Sequence, residues 1–251
     1  MSTEARHLPG LDAANVVKTK AFISAEHKLS SAVSRHGIAV VSGAPGNGKS
    51  FTVDRFLRTH PVVTGRTVHW LDMPPNPAPK EVTVRLLSAT AIPFNSRDTL
   101  YELTELLIPA LDGQVVVIDE AQNLKQNALQ QVRYFHDQGR AMALPWALIL
   151  VGSTIDSAMS RAPELHSRVA ARVEFKAMDA ESLLRAVRDW HPATAALDPK
   201  LVLQVDATYG YGNWRRWGQL LSALLDLMSK LPDGTPVTAQ HVAAALSVVQ
   251  G

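Results

Sequence analysis

Gly43-Ala44-Pro45-Gly46-Asn47-Gly48-Lys49-Ser50 constrains this chain more than any other stretch. It fits the pattern G-x-x-x-x-G-K-[ST] without a gap. Its glycines let backbone N–H groups close around phosphate oxygens. Lys49 has the length to reach β- and γ-phosphates, and the Ser50 hydroxyl suits Mg²⁺. Gly37-Ile38-Ala39-Val40-Val41 precedes the loop as an apolar, β-branched run of strand length. Phe51-Thr52-Val53-Asp54-Arg55-Phe56-Leu57 follows it with apolar residues at helical spacing. Strand, loop and helix together aim a helix N-terminus at the phosphates.

Length and composition set the outer bounds. The chain has 251 residues, enough for one large domain or two modest ones. Hydrophobic residues make up 46% and charged residues 19%, a globular balance. A net charge of only +2 permits a nucleic-acid partner without arguing for one, so any DNA surface has to be a local patch. The absence of cysteine excludes disulfides and thiolate metal sites. Nine histidines fall in no H-E-x-x-H spacing, which argues against zinc. No apolar run reaches the ~18 residues of a membrane span. Met1 to Gly10 lacks the regions of a signal peptide, so a cytoplasmic protein with no membrane partner is expected.

Along the chain, residues 1–12 read as a loose arm with Pro9-Gly10, and 16–35 as a helix. Residues 67–71 read as a second strand, and 81–91 and 99–111 as helices, the latter with Leu100, Leu103, Leu107 and Leu111 in step. Val115-Val116-Val117-Ile118 and 146–151 are continuous apolar runs, suited to strands buried on both faces of a parallel sheet. Residues 123–138 read as a helix stopped by Gly139, and 173–175 as a last short strand. Beyond Asp179 the pattern is helical throughout: 179–191, 198–208, 214–229 and 238–249. The expected fold is therefore α/β: a P-loop three-layer sandwich with a parallel central sheet over 13–177, then a small all-helical lid over 178–251.

Asp119-Glu120 closes the run Val115–Ile118. Ligands of open parallel sheets sit at the carboxyl ends of strands, where the Gly43–Ser50 loop also lies. Phosphoryl-transfer chemistry needs an acid to hold Mg²⁺ and a group to orient the attacking water. Asp119 suits the first role and Glu120 the second. Ser153 and Thr154 end the next buried run; their hydroxyls suit the water or the γ-phosphate, and equally a helix cap. Arg168 stands about one turn after Pro163, where an arginine supplied in trans can meet transferring phosphate, with Arg161 and Arg172 as competitors. Asn213 reads as an N-cap, followed by Arg215 and Arg216 in the first turn of a helix. Cations there oppose the helix dipole at ~0.3–1 kcal/mol each, which points to an anion close by. Trp214 and Trp217 read as core residues rather than a base-stacking pair.

This set resembles the AAA+ ATPases across nearly all of the chain. In that family's terms Gly43–Ser50 is Walker A, Val115–Glu120 Walker B, and Ser153/Thr154 sensor 1. Arg168 is the arginine finger and Gly212–Arg215 sensor 2. Ile118-Asp119-Glu120-Ala121-Gln122, the strand ending Val151-Gly152, and Ser167-Arg168-Val169 are similar to the transposition target-selector branch. That branch holds the phage Mu B protein, TnsC and TniB, and the lead-in from Val16 to Val41 also resembles the Mu B protein.

The resemblance implies ATP and Mg²⁺ as cofactors. Gly43, Ala44, Pro45, Gly46, Asn47, Gly48, Lys49, Ser50, Phe51 and Arg215 would contact nucleotide, with Arg216 left open as the alternative to Arg215, and Ser50 and Asp119 would contact the metal. It implies an ATP-dependent homo-oligomer, a ring or helical filament on double-stranded DNA without sequence preference. Such an assembly recruits a transposase and comes apart on a slow, partner-stimulated hydrolysis. The Mu B protein has an N-terminal helix-turn-helix domain that the dozen residues preceding this core do not supply, and no transposase-binding tail is recognisable. DNA contacts then fall to the core, with Lys80, Arg85, Arg97, Lys125, Arg133 and Arg140 as candidates. Arg133 and Asp137 are four apart on one helix, and a solvated ion pair is the simpler account of Arg133. The same texture occurs in ExeA-like secretion ATPases and initiator-like helicase loaders, an alternative that acts on protein partners without DNA. A small-molecule kinase fits the Asp-Glu pair and lid arginine less well.

Overall fold

The computed structural model describes residue 11, residues 13–232 and residues 234–251. Apart from Leu11, the arm expected over 1–12 lies outside the described residues. The chain divides into two compact units. One consists of Ile23–Gly43 and Lys49–Phe175; the other holds Lys176–Gly251, Ala44–Gly48 and the segment up to Phe22.

In chain order the elements of the first are α1 (Lys20–Ser34, shared with the other unit), β1 (Ile38–Gly43), α2 (Lys49–Thr59), β2 (Val68–Asp72), α3 (Pro79–Thr90), α4 (Leu100–Ala110), β3 (Val115–Asp119), α5 (Gln126–Ala141), β4 (Ala147–Gly152), α6 (Ile155–Ser160), α7 (Pro163–Ser167) and β5 (Val169–Phe175). The strands form one sheet in the order β2-β3-β4-β1-β5, and every pairing is parallel. Each residue of β3 and β4 is buried. That is the condition of a parallel sheet covered on both faces, and it explains why these strands read as unbroken apolar runs. The register sets Ser42 beside Gly152, Ile118 beside Leu150 and Asp72 beside Asp119. The carboxyl ends of β1, β3 and β4 therefore share one edge, with β4 between the other two.

Local chemistry accounts for most boundaries. Thr99 and Glu102 form a capping box at the start of α4: Thr99 N–H donates to Glu102 at 2.7 Å, and Glu102 N–H donates to the Thr99 hydroxyl at 3.2 Å. Leu103, Leu107 and Leu111 then enter the core beside Val116, Ile118 and Trp146. Expected bounds need correction: α1 starts at Lys20 rather than 16 and α5 at Gln126 rather than 123, and two further differences have a packing reason. Gly139 does not stop α5, which runs on to Ala141. A Cβ at Gly139 would lie 2.9 Å from Leu144 O and 3.0 Å from the Trp146 ring, so this glycine makes room for packing inside a helix. The last strand is also longer than 173–175, starting at Val169. It is an edge strand, so its first half, Val169-Ala170-Ala171-Arg172, lacks the apolar contrast of the buried strands.

The other unit is helical: α8 (Ala180–Trp190), α9 (Pro192–Ala195), α10 (Pro199–Val205), a π-turn at Asp206–Gly210, α11 (Trp214–Met228) and α12 (Ala239–Gln250). Asp179, Asp198 and Thr238 cap α8, α10 and α12 through their side chains. Leu183, Val187, Val202, Trp217, Leu221 and Val242 form its core. Trp190 and Trp214 meet edge-to-face with centroids 5.2 Å apart. The helix expected over 198–208 is regular only to Val205 and then widens into the π-turn.

Candidate nucleotide site

Within the sheet unit, Lys49 and Ser50 open α2 directly after the glycine loop. Lys49 is 8% exposed. Asp119 ends β3 at 9% exposure, and its Oδ1 accepts from Glu120 N–H at 2.9 Å. The Ser50 hydroxyl also hydrogen-bonds Asp119. Burial raises the Asp119 carboxyl above the usual carboxylate range, and the charges of Glu120 and Asp72 add to this. The Glu120 N–H and the Ser50 hydroxyl partly offset it.

A buried carboxylate with acidic neighbours and a serine hydroxyl at hydrogen-bond distance is a hard-oxygen donor set that a divalent cation would relieve. Among the described residues no cluster of three or more acidic or histidine side chains forms an all-protein cage. Mg²⁺ fits such a site, since it keeps waters and phosphate oxygens and takes only one or two protein ligands. Ser50 and Asp119 are the residues that would hold it.

Glu120 is exposed and occupies the left-handed region, φ 51 and ψ 35. A glutamate there is uncommon, and such backbone gathers at sites where side-chain direction matters. Its carboxylate accepts from Gln122 Nε2, and Gln122 Oε1 accepts from Ser153 N–H at 3.1 Å. Thr154 takes the N-cap position of α6 without a side-chain cap bond, leaving its exposed hydroxyl uncommitted to that role.

Arg168 is not part of this group. Its Nε donates to Asp137 on α5 at 3.2 Å, and its side chain is 52% exposed. Asp137 also takes Arg133 at 3.2 Å, the ion pair expected from their spacing. Of the competitors, Arg172 pairs with Asp156 and Arg161 is exposed at the end of α6. Arg85 pairs with Glu81. Thr99 holds the Glu102 carboxyl below its usual range, with Lys80 adding to the effect. Arg97, Lys125 and Arg140 are exposed.

The helical unit carries the rest of the glycine loop, Ala44–Gly48. Asn213 caps α11 as its sequence position suggests, its Oδ1 accepting from Arg215 N–H at 3.0 Å and Arg216 N–H at 3.2 Å. Its Nδ2 donates to Pro45 O at 2.7 Å, and Trp214 N–H donates to Gly46 O at 2.9 Å. Gly46 has φ +82, and a Cβ there would overlap the Asn213 amide. Only glycine allows both the turn and this approach. The loop backbone is thus docked on the first turn of α11. Asp206, to which sequence reasoning gave no role, ties the turn before Asn213, its Oδ1 accepting from Gly212 N–H at 2.7 Å and Trp217 Nε1 at 2.9 Å. Gln122, the last residue of the Ile118–Gln122 motif, had no role from sequence either. No helix among the described residues is long and apolar enough to cross a membrane.

Residues 32–156 match a protein-family model described as an AAA domain. No curated protein matches the sequence. Among solved structures the chain is similar to the ORC2 protein of Aeropyrum pernix in its ADP form, with a TM-score of 0.68 and 17% identity over 98% of this chain and 72% of that one. It is similar to Aeropyrum pernix ORC1 in complex with DNA, with a TM-score of 0.67 and 17% identity over 96% of this chain and 68% of that one. The RuvB Holliday junction branch migration motor of Thermotoga maritima gives a TM-score of 0.62 and 14% identity over 93% of this chain and 70% of that one. At these identities the likeness is one of fold: a parallel five-stranded sheet with flanking helices and C-terminal helices.

Proposed function

We propose, from the premise that this chain is a P-loop AAA+ protein with an AAA domain over residues 32–156, that it is an ATPase which assembles on duplex DNA with ATP, recruits and activates a transposase, and comes apart on hydrolysis. The observation that carries the ATPase reading is the Ser50–Asp119 pair with Glu120 beside it, at the sheet edge where β1, β3 and β4 end. Backbone N–H groups of the glycine loop and Lys49 hold the phosphates, with Phe51 following on α2. Mg²⁺ held by Ser50 and Asp119 would neutralise charge on the β- and γ-oxygens. Glu120 orients the attacking water and takes its proton, while Ser153 and Thr154 hold the water or the γ-phosphate. Arg215 reaches the nucleotide from the first turn of α11, and Arg168 serves the site of a neighbouring copy.

The DNA and transposase parts rest on the Ile118–Gln122 and Ser167–Val169 motifs, and the DNA part also on the similar fold of Aeropyrum pernix ORC1 in complex with DNA and of the RuvB Holliday junction branch migration motor. Electron microscopy with linear duplex DNA tests them, comparing a slowly hydrolysed ATP analogue with ADP. Filaments or stacked rings on DNA with the ATP analogue alone are expected. Particles that ignore DNA in both states overturn the DNA reading. They favour an ATPase working on protein partners, the reading that the ion-paired state of Arg85 and Arg133 supports. DNA binding by phosphate contacts also has to weaken steeply with salt.

A further inference from the structure

We infer that Gln122 is a positioning residue for Glu120 and ties the carboxylate to the end of β4. The inference rests on the reading of Glu120 as the water-orienting base. Glu120 lies on an exposed turn, and a glutamate side chain in such a place samples several rotamers. Gln122 removes that freedom from both sides. Its Nε2 donates to Glu120 Oε2, and its Oε1 accepts from Ser153 N–H at 3.1 Å. One amide therefore spans from the residue after β3 to the residue after β4.

The neighbouring backbone is shaped for this bridge. Gly152 ends β4 as a buried residue, and a Cβ there would fall on Gln122 Oε1. It would also come within 3.3 Å of Gln122 N. The short helical turn Ala121–Asn123 is pinned independently, because Asn123 Nδ2 donates to Met73 O at 2.7 Å. The backbone carrying Gln122 is thereby fixed, and the glutamine spans a constant gap. Held on one oxygen, Glu120 keeps its other oxygen for water. The link also joins Glu120 to Ser153, a residue of the loop assigned to the γ-phosphate. A shift of that loop on nucleotide binding moves the base with it.

Steady-state ATP turnover of the full chain, with fluorescent ADP titration, tests this. Gln122→Ala removes the bridge. Gln122→Glu keeps the length and the acceptor for Ser153 N–H but loses the donor to Glu120, so it separates positioning from folding. Both variants are expected to lower kcat about tenfold, since misplacing a catalytic group by ~1 Å costs up to about a hundredfold. KM and ADP affinity are expected to stay within about twofold of wild type. In a Glu120→Gln background neither substitution lowers the residual turnover further, because residues acting as one unit are non-additive. Wild-type kcat in both single variants overturns the inference. So does an equal further loss in the Glu120→Gln background. A wild-type chain without turnover, or a Glu120→Gln variant with full turnover, overturns the ATPase reading and takes this inference with it.

Discussion

Arg215 and Arg216 are adjacent, carry the same charge and have different surroundings. Arg216 Nη1 donates to Tyr209 O at 3.0 Å, and its guanidinium lies 5.0 Å from the centroid of the Tyr211 ring. The Arg215 side chain has no hydrogen-bond or ion-pair partner among the described residues, although it stands where the helix dipole disfavours a cation. The sequence left open which arginine faces a nucleotide, and these contacts favour Arg215. Arg215→Ala is expected to weaken ATP binding about tenfold without lowering Tm. Arg216→Ala loses a hydrogen bond and a cation–π contact worth about 1 kcal/mol, or ~2–4 °C in Tm, and leaves affinity near wild type. Nucleotide titrations and thermal melts of the two variants check this, and the reverse pattern would assign the contact to Arg216. Asn213 was legible as a cap because an N-cap is a local rule of residue type and position. The Arg216–Tyr209 bond was not legible, because it depends on the π-turn that brings Tyr209 back towards α11.

At the scale of elements, that turn decides how α11 begins. Asp206 opens the π-turn, and its Oδ1 receives both Gly212 N–H and Trp217 Nε1, the latter on a residue 2% exposed. Asp206→Ala strands two donors on buried residues at a part-buried site, at up to about 1–3 kcal/mol per stranded group. It is expected to lower Tm by several degrees and red-shift the Trp217 emission, whereas Asp206→Asn keeps an acceptor and loses less. Thermal melts followed by tryptophan fluorescence separate the two; equal losses would mean that the charge, not the acceptor, holds the turn. Such tertiary bonds also mark where element reading stopped. β3 and β4 were legible because burial on both faces writes itself as an apolar run. Gly139 misled because its helix-stopping habit is local, while the Trp146 ring that requires it comes from seven residues further on. The first half of β5 was hidden because an edge strand need not be apolar throughout.

At the scale of the whole molecule, the motif order Gly43–Ser50, Asp119-Glu120, Ser153/Thr154, Arg168 and Gly212–Arg215 reads directly along the chain. Strand order, which sets β4 between β1 and β3, follows from packing and is not written in any one motif. Assembly is the property furthest from the single chain, and Arg168 is the residue on which its proposed ATP dependence turns. In one chain Arg168 is half-exposed and bonded to Asp137, which keeps a second partner in Arg133. Exposed ion pairs contribute only about 0–1 kcal/mol, so Arg168→Ala is expected to fold with near-wild-type Tm. An arginine serving a neighbour's phosphate has no part in its own chain's nucleotide binding, so ATP affinity should also hold. ATP-driven assembly is the one property expected to be lost. Sedimentation with ATP reads this directly, with Glu120→Gln as the reference that assembles and keeps only residual turnover. Arg133→Ala supplies the control, because it leaves the Arg168–Asp137 pair in place and should assemble normally. If Arg168→Ala still sediments as ATP-dependent oligomers, the interfacial role passes to Arg161 or Arg172. If Arg133→Ala fails as Arg168→Ala does, the defect lies in the α5 surface around Asp137 rather than in a phosphate contact.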